Sequence, residues 1–218
     1  MSSSSTHDIE REIMVDNQVR PNKVNDRRII TAMRTLPREA FAPTGANAYA
    51  DVDVALGGGR FLLSPMLTAR LAQLALAGDA GNALVVGAGA GYLAAVLSAT
   101  GLHVVALEEE ARLDTGALAR VAPQVEAVRG PLAAGWGANG PYDLIVIEGA
   151  VPEIPENFAA QLAPGGRVIT ILADGPEAGG IGRVVVGEVA GKGYALVRTL
   201  DCTARILPQF QRAAAFNF

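Results

Sequence analysis

ALVVGAGAGY, residues 83–92, decides the fold. An apolar run of strand character enters three glycines, Gly87, Gly89 and Gly91, and Tyr92 then opens YLAAVLSAT (92–100), which has the composition of a helix. Glycine admits positive φ and lets a ligand approach the main chain. A helix beginning directly after such a turn offers unpaired N–H groups to an anionic or polar partner. The stretch therefore predicts a strand, a tight turn and a helix whose N-terminus faces a binding niche.

Working outward, the same alternation recurs. HVVAL (103–107) is a second strand, followed by a helix through Ala119; VEAVR (125–129) is a third strand and DLIVI (143–147) a fourth. A helix over 155–162 stops at Pro164-Gly165-Gly166, and RVITI (167–171) is the fifth strand. These runs are almost continuously apolar, as strands buried on both faces of a parallel sheet must be. Beyond Gly180 the pattern changes to RVVVGEV (183–189) and YALVR (194–198), joined by the short AGKG, which predicts an antiparallel hairpin. Upstream, Ile29, Ala32, Met33 and Leu36 fall at helical spacing, with Asn25 or Asp26 as cap and Pro37 as stop. Residues 43–60 read as a loop. Ser64-Pro65 then reads as an N-cap and first helical position, with Leu67, Leu71 and Leu74 as the buried stripe. The fold class is thus α/β: a doubly wound, mostly parallel sheet of seven strands with a C-terminal antiparallel pair and an N-terminal helical layer. The first dozen residues, polar and Ser-rich, are expected to be a mobile tail. A single domain follows over 13–218, with helices and a loop over 13–80 and the sheet core over 81–218.

Composition narrows the function classes. The chain has 218 residues, half of them apolar, 18% charged, with a net charge of −4, so disorder is excluded for most of the chain and no cationic footprint for nucleic acid exists. No apolar run reaches the roughly 18 residues of a membrane span, and MSSSSTHDIER lacks the features of a signal peptide. One cysteine, Cys202, forbids an intrachain disulfide, and two histidines, His7 and His103, are too few for a zinc site. The expectation is a cytoplasmic monomer without metal, nucleic-acid partner or membrane contact.

The glycine spacing also selects among ligands. A dinucleotide fingerprint needs GxGxxG, and its third glycine position is Tyr92 here. With no acid–base pair evident either, an NAD-dependent oxidoreductase is disfavoured. GxGxG resembles the first motif of S-adenosylmethionine enzymes, and Glu108, at the end of the second strand, stands where a ribose diol would lie. Such a charge-assisted hydrogen bond contributes roughly 1.5–3 kcal/mol. The alternative is that the glycines only permit tight packing and Glu108 caps the next helix.

The chain resembles the protein-L-isoaspartate O-methyltransferase family over roughly 13–172. The likeness lies in MVDNQVRPNKVNDRRIITAMRTLPREAFAP (14–43), AYADVDVALGGGR (48–60), ALVVGAGAGYLAAVLS (83–98) and YDLIVIEGAVPEIPENFAAQLAPGGRVI (142–169). The resemblance implies a Rossmann-like methyltransferase fold and S-adenosylmethionine as cofactor. It implies methyl transfer to the side-chain carboxylate of an isoaspartyl residue, the start of repair of damaged proteins. Such an acceptor, with a pKa of about 4, is already ionised at neutral pH and needs no base. On this resemblance the cofactor-binding residues are Gly87, Ala88, Gly89, Gly91, Tyr92, Glu108, Gly130 and Pro131.

The chain departs from the family pattern at identifiable places. The substrate loop ordinarily reads GQTISQP or close to it and is GRFLLSP (59–65) here, so the hydroxyl positions become Phe61 and Leu63, and the glutamine becomes Arg60. The acidic residue usual near the end of strand one is Val85, the Gly-Asp after strand three is Gly130-Pro131, and the threonine after strand four is Glu148. Ser64, Arg60 and Glu148 are the catalytic candidates. Ser64 is alternatively just an N-cap. Arg60 and Glu148 are expected to face each other at the carboxyl ends of the strands; alternatively Arg60 grips an anionic substrate. Trp136 either stacks on a base or closes a core edge; His103 and Cys202 read as structural, and Phe210, Phe216 and Phe218 as docking on the sheet. Besides the isoaspartyl methyltransferase, two readings stay open: a member that keeps the fold as a non-catalytic binding module, and one that methylates another acceptor.

Overall fold

A computed structural model describes residues 3–109, 115–175, 180–203 and 205–211. Strands β1 (Val54–Gly57) and β2 (Arg60–Leu62) form a small antiparallel hairpin. The remaining seven, β3 (Asn82–Val86), β4 (His103–Glu108), β5 (Glu126–Arg129), β6 (Tyr142–Val151), β7 (Leu162–Ala173), β8 (Ile181–Ala190) and β9 (Gly193–Thr203), form one sheet in the order β5-β4-β3-β6-β7-β8-β9. β5 through β7 run parallel, and β8 and β9 add the antiparallel pair. The chain winds from β3 towards β5, then returns to β6 on the other side of β3. The crevice where strand order reverses lies at the carboxyl ends of β3 and β6, the place where open α/β sheets bind ligands.

β3 shows why the strands lack polar alternation. Ala83, Leu84, Val85 and Val86 are all fully buried, Ala83 and Val85 in one core and Leu84 and Val86 in the other. Successive side chains of a strand point to opposite faces, so a strand with helices or loops on both sides has no face to spare for polar residues. The first core takes the helices α2 (Arg27–Thr35), α3 (Pro65–Ala75) and α4 (Tyr92–Ala99), and α5 (Thr115–Val121) adds Ala117 and Leu118. The second is built around Tyr142, Phe158 and Leu207. Caps stop and start the helices where the sequence places them. The Asp26 carboxylate accepts from the Arg28 amide (2.9 Å), and Leu36, before Pro37, is already extended.

The structure differs from the sequence expectations in five places. The presumed mobile tail contains α1 (Ser3–Met14), which docks through buried Met14 and Arg11; the Arg11 guanidinium reaches the Tyr49 hydroxyl and Glu39. The loop over 43–60 holds β1, reversed onto β2 by Gly57, Gly58 and Gly59, all at positive φ. The helix expected over 155–162 is a 3-10 segment, Glu156–Gln161, and β7 begins at Leu162, running through the Pro164-Gly165-Gly166 expected to be a turn. Finally, residues 205–210 return to the sheet, Ile206 bridging Ala150 at the end of β6. Phe210 packs half-buried against the second core, as expected; Phe216 and Phe218 lie outside the described residues.

Candidate active site

The turn after β3 has the conformation its glycines foretell, with φ of 74°, 56° and 93° at Gly87, Gly89 and Gly91. The Gly87 and Ala88 amides donate to the Leu107 carbonyl (2.9 and 3.2 Å), tying the turn to the end of β4, and Gly91 caps α4. A Cβ on Gly91 would stand 2.9 Å from Leu118 Cδ1, in a conformation L-residues avoid.

Glu108 is delivered to this turn, as expected, and is fully buried. Its Oε2 accepts from the Gly89 amide (2.9 Å) and its Oε1 from the Glu109 amide (2.8 Å). Arg60 then closes on both oxygens as a fork: Nη2 donates to Oε1 at 2.9 Å, and Nε to Oε2 at 3.0 Å. A carboxylate has about four acceptor sites, and all are now taken. Arg60, only 2% exposed, comes from β2, 48 residues away in the chain. Among the described residues its buried Nη1 has no hydrogen-bond partner.

The expected pairing of Arg60 with Glu148 therefore does not form; Arg60 answers Glu108 instead, because a bidentate fork on a buried carboxylate is the stronger alternative. Glu148 lies buried in the C-terminal half of β6, its Oε2 without a partner among the described residues, in the field of Arg38 and Glu108. Burial holds its carboxyl well above the usual carboxylate range, against the Arg38 charge and with help from Glu108. Arg38 is itself fully buried. Nε donates to the Ala48 carbonyl (2.7 Å), Nη2 to the Leu63 carbonyl (2.5 Å), and the guanidinium lies 4.8 Å from the Tyr92 ring centroid. Burial pushes its pKa down from the arginine range.

Other candidates separate cleanly. Tyr92 is fully buried against Phe41 and Arg38, in the core rather than the niche. Ser64 is an N-cap, its hydroxyl accepting from the Leu67 amide (3.4 Å). Gly130 and Pro131 line an open cleft of about 400 Å³ with Glu109 and Arg129. Trp136 closes the edge of that region: its ring carbon would lie 3.2 Å from a Cβ on Gly130, and Nε1 donates to Asn139. His103 is exposed, beside Asn82. Burial, with Asp53 and Asp201, raises the Cys202 thiol to about 11, which leaves it inert.

Two features escaped the sequence reading. The first is Arg38, within Pro37-Arg38-Glu39-Ala40-Phe41, where a charge beside a proline and next to apolar residues is the available signal. The second is residues 205–210, which cross the carboxyl ends of the strands. Ala150 donates to the Arg205 carbonyl and accepts from the Leu207 amide, both at 2.9 Å, and Gln209 Nε2 donates to Glu109 (2.5 Å). Leu207, 3% exposed, stands 3.1 Å from where a Cβ on Gly87 would be and 2.6 Å from one on Gly149. Leu56 covers Gly89 at 3.1 Å, and Pro208 covers Gly59 at 2.6 Å.

S-adenosylmethionine does not fit this arrangement as it stands. If Glu108 holds the ribose, as the resemblance implies, its oxygens are already saturated by Arg60, and Leu56 and Leu207 stand over Gly89 and Gly87. The turn and the carboxylate of such a site are present, but side chains of the same chain fill the space above them.

Comparison with known proteins gives the lineage. The profile of the Protein-L-isoaspartate(D-aspartate) O-methyltransferase (PCMT) family matches residues 9–177. A protein-L-isoaspartate O-methyltransferase of Rhodopseudomonas palustris is 37% identical over 162 residues, covering 72% of this chain and 74% of the relative. One of Koribacter versatilis is 34% identical over 208 residues, covering 92% and 90%. Among solved structures, a protein-L-isoaspartate O-methyltransferase superposes with a TM-score of 0.76 at 23% identity, over 90% of this chain and 65% of that one. A beta-aspartate methyltransferase (PCMT) of Plasmodium falciparum, in complex with S-adenosyl-L-homocysteine, gives 0.71 at 18% identity, over 93% and 98%. With the match running through the helical layer, the Arg60 loop, the glycine turn and β6, the chain belongs to the protein-L-isoaspartate(D-aspartate) O-methyltransferase family.

Proposed function

We propose that this chain transfers a methyl group from S-adenosylmethionine to the side-chain carboxylate of isoaspartyl residues in damaged proteins or peptides. The observation that carries this reading is the extent of the family match, residues 9–177. It takes in the N-terminal layer as well as the turn that many α/β proteins share. The chemistry suits the residues at hand. An acceptor carboxylate with a pKa of about 4 is ionised at neutral pH, so no base is required. Neither histidine belongs to the site: His7 lies against Glu39 and His103 is exposed on β4. A monomer in the cytoplasm is the default assignment, with α1 (Ser3–Met14) packed onto the same domain; no described helix is long and apolar enough to cross a membrane.

The test has two stages. Calorimetric titration with S-adenosylmethionine should give saturable binding. Transfer of a labelled methyl group should then occur to an isoaspartyl peptide and not to its aspartyl twin. Absence of heat and of any thermal shift at millimolar ligand sinks the proposal. Binding without transfer to the isoaspartyl peptide retains the cofactor and rejects the acceptor.

A further inference from the structure

Resting on that reading, we propose that Arg60 is an internal competitor for the cofactor: its guanidinium occupies the carboxylate of Glu108, and S-adenosylmethionine binds only by displacing it.

The fork meets Glu108 where a ribose diol would, at 2.9 and 3.0 Å, with the two remaining acceptor sites held by the Gly89 and Glu109 amides. A diol has no free lone pair to reach unless Arg60 leaves. The arginine is also incompletely satisfied, since among the described residues its buried Nη1 has no partner, a cost its present position carries. It sits on a hairpin that stands apart from the main sheet and turns on Gly57, Gly58 and Gly59. The hairpin is in turn held down by the returning segment. Pro208 packs on Gly59, Arg205 Nε donates to Asp53 (3.0 Å), and its guanidinium covers the Phe61 ring at 4.2 Å. Gln209 ties the far end to Glu109, which is itself 3.8 Å from Arg60. Arg60 and residues 205–210 thus form one latch across the cleft, and the carboxylate is its keeper.

A site latched in most molecules binds with an affinity reduced by the open fraction. Arg60→Gln, which keeps a polar side chain without the charge, should tighten S-adenosylmethionine binding by about ten- to a hundredfold in calorimetry. Arg60→Lys, which keeps the charge but loses the fork, should fall between. Circular dichroism and thermal melts establish that each variant is folded. Equal affinity in wild type and variants overturns the competitor while leaving the methyltransferase reading intact. No binding by any folded form, wild type included, removes the reading and the competitor with it. The wild type supplies a second measurement that needs no folded Arg60→Gln. The 15N-resolved Arg60 Nε–H signal should move on saturation with S-adenosylhomocysteine, and an unchanged signal at saturation overturns the proposal.

Discussion

Replacing Glu148 with glutamine should make the protein more stable at neutral pH and remove one component of its pH dependence. The Glu148 carboxyl is buried, Oε2 has no partner among the described residues, and the cation that acts on it, Arg38, is engaged by the Ala48 and Leu63 carbonyls and the face of Tyr92. Burial therefore dominates the Arg38 charge, Glu108 adds to it, and the folded chain holds the Glu148 proton more tightly than an exposed glutamate does. The unfolded chain releases that proton at about the ordinary glutamate value of 4.3. Above that value the folded state binds one more proton than the unfolded state. The stability this group contributes is thus complete below the unfolded pKa and is lost as the pH climbs towards the folded one. Within the window a single proton changes the folding equilibrium about tenfold per pH unit. Glutamine has nearly the same shape and no proton to lose, so Glu148→Gln removes that slope. Urea unfolding of both proteins, followed by circular dichroism at intervals from about pH 4.5 to pH 8, reads the difference directly. The two profiles should meet at the acid end and diverge in the variant's favour as the pH rises. Parallel profiles with the variant less stable throughout would refute the reasoning. They would mean an ionised Glu148 whose loss strands Arg38 as a buried charge, at a cost of about 3–5 kcal/mol.

Three further changes probe the frame around the site. Leu207→Ala empties the space over Gly87 and Gly149 and should cost about 2–4 kcal/mol in urea unfolding. Gly91→Ala forces a methyl group to 2.9 Å from Leu118 at φ 93°, and a loss of about 1–3 kcal/mol should appear as a lowered denaturation midpoint. Ser64→Ala should lower stability by about 1 kcal/mol and Ser64→Gly by only a few tenths, the order expected of an N-cap. Equal losses would dismiss that role.

Legibility in the sequence followed the range of the interaction. The run into Gly87, Gly89 and Gly91, the Asp26 and Ser64 caps and the existence of the strands from β3 to β9 are announced by neighbours within a few residues; β7 alone starts well before its expected bound, at Leu162. The Ala55–Gly59 stretch hides a hairpin because an alanine, one leucine and three glycines carry no strand pattern; β1 exists through its pairing with β2. Glu108 was found from its place at a strand end. Its partner was not, because Arg60 is 48 residues away and nothing in a single chain's periodicity couples the two. The same holds for Ile206, bridging Ala150 across 56 residues of sequence. Arg60 and Glu148 were both recognised as departures at one end of the sheet, but residue type alone could not say which carboxylate the arginine would take.

The lone tryptophan gives this cleft an optical gauge of its own. Trp136 is half-buried with its indole against Gly130, and Gly130 lines an open space with Glu109, Arg129 and Pro131. Emission from an indole follows the polarity around it, and no other residue of the chain shares its absorbance band at the red edge. Whatever settles beside Gly130 alters the light from one known position, so occupancy can be followed in the unlabelled, unmodified protein, in real time and at low concentration.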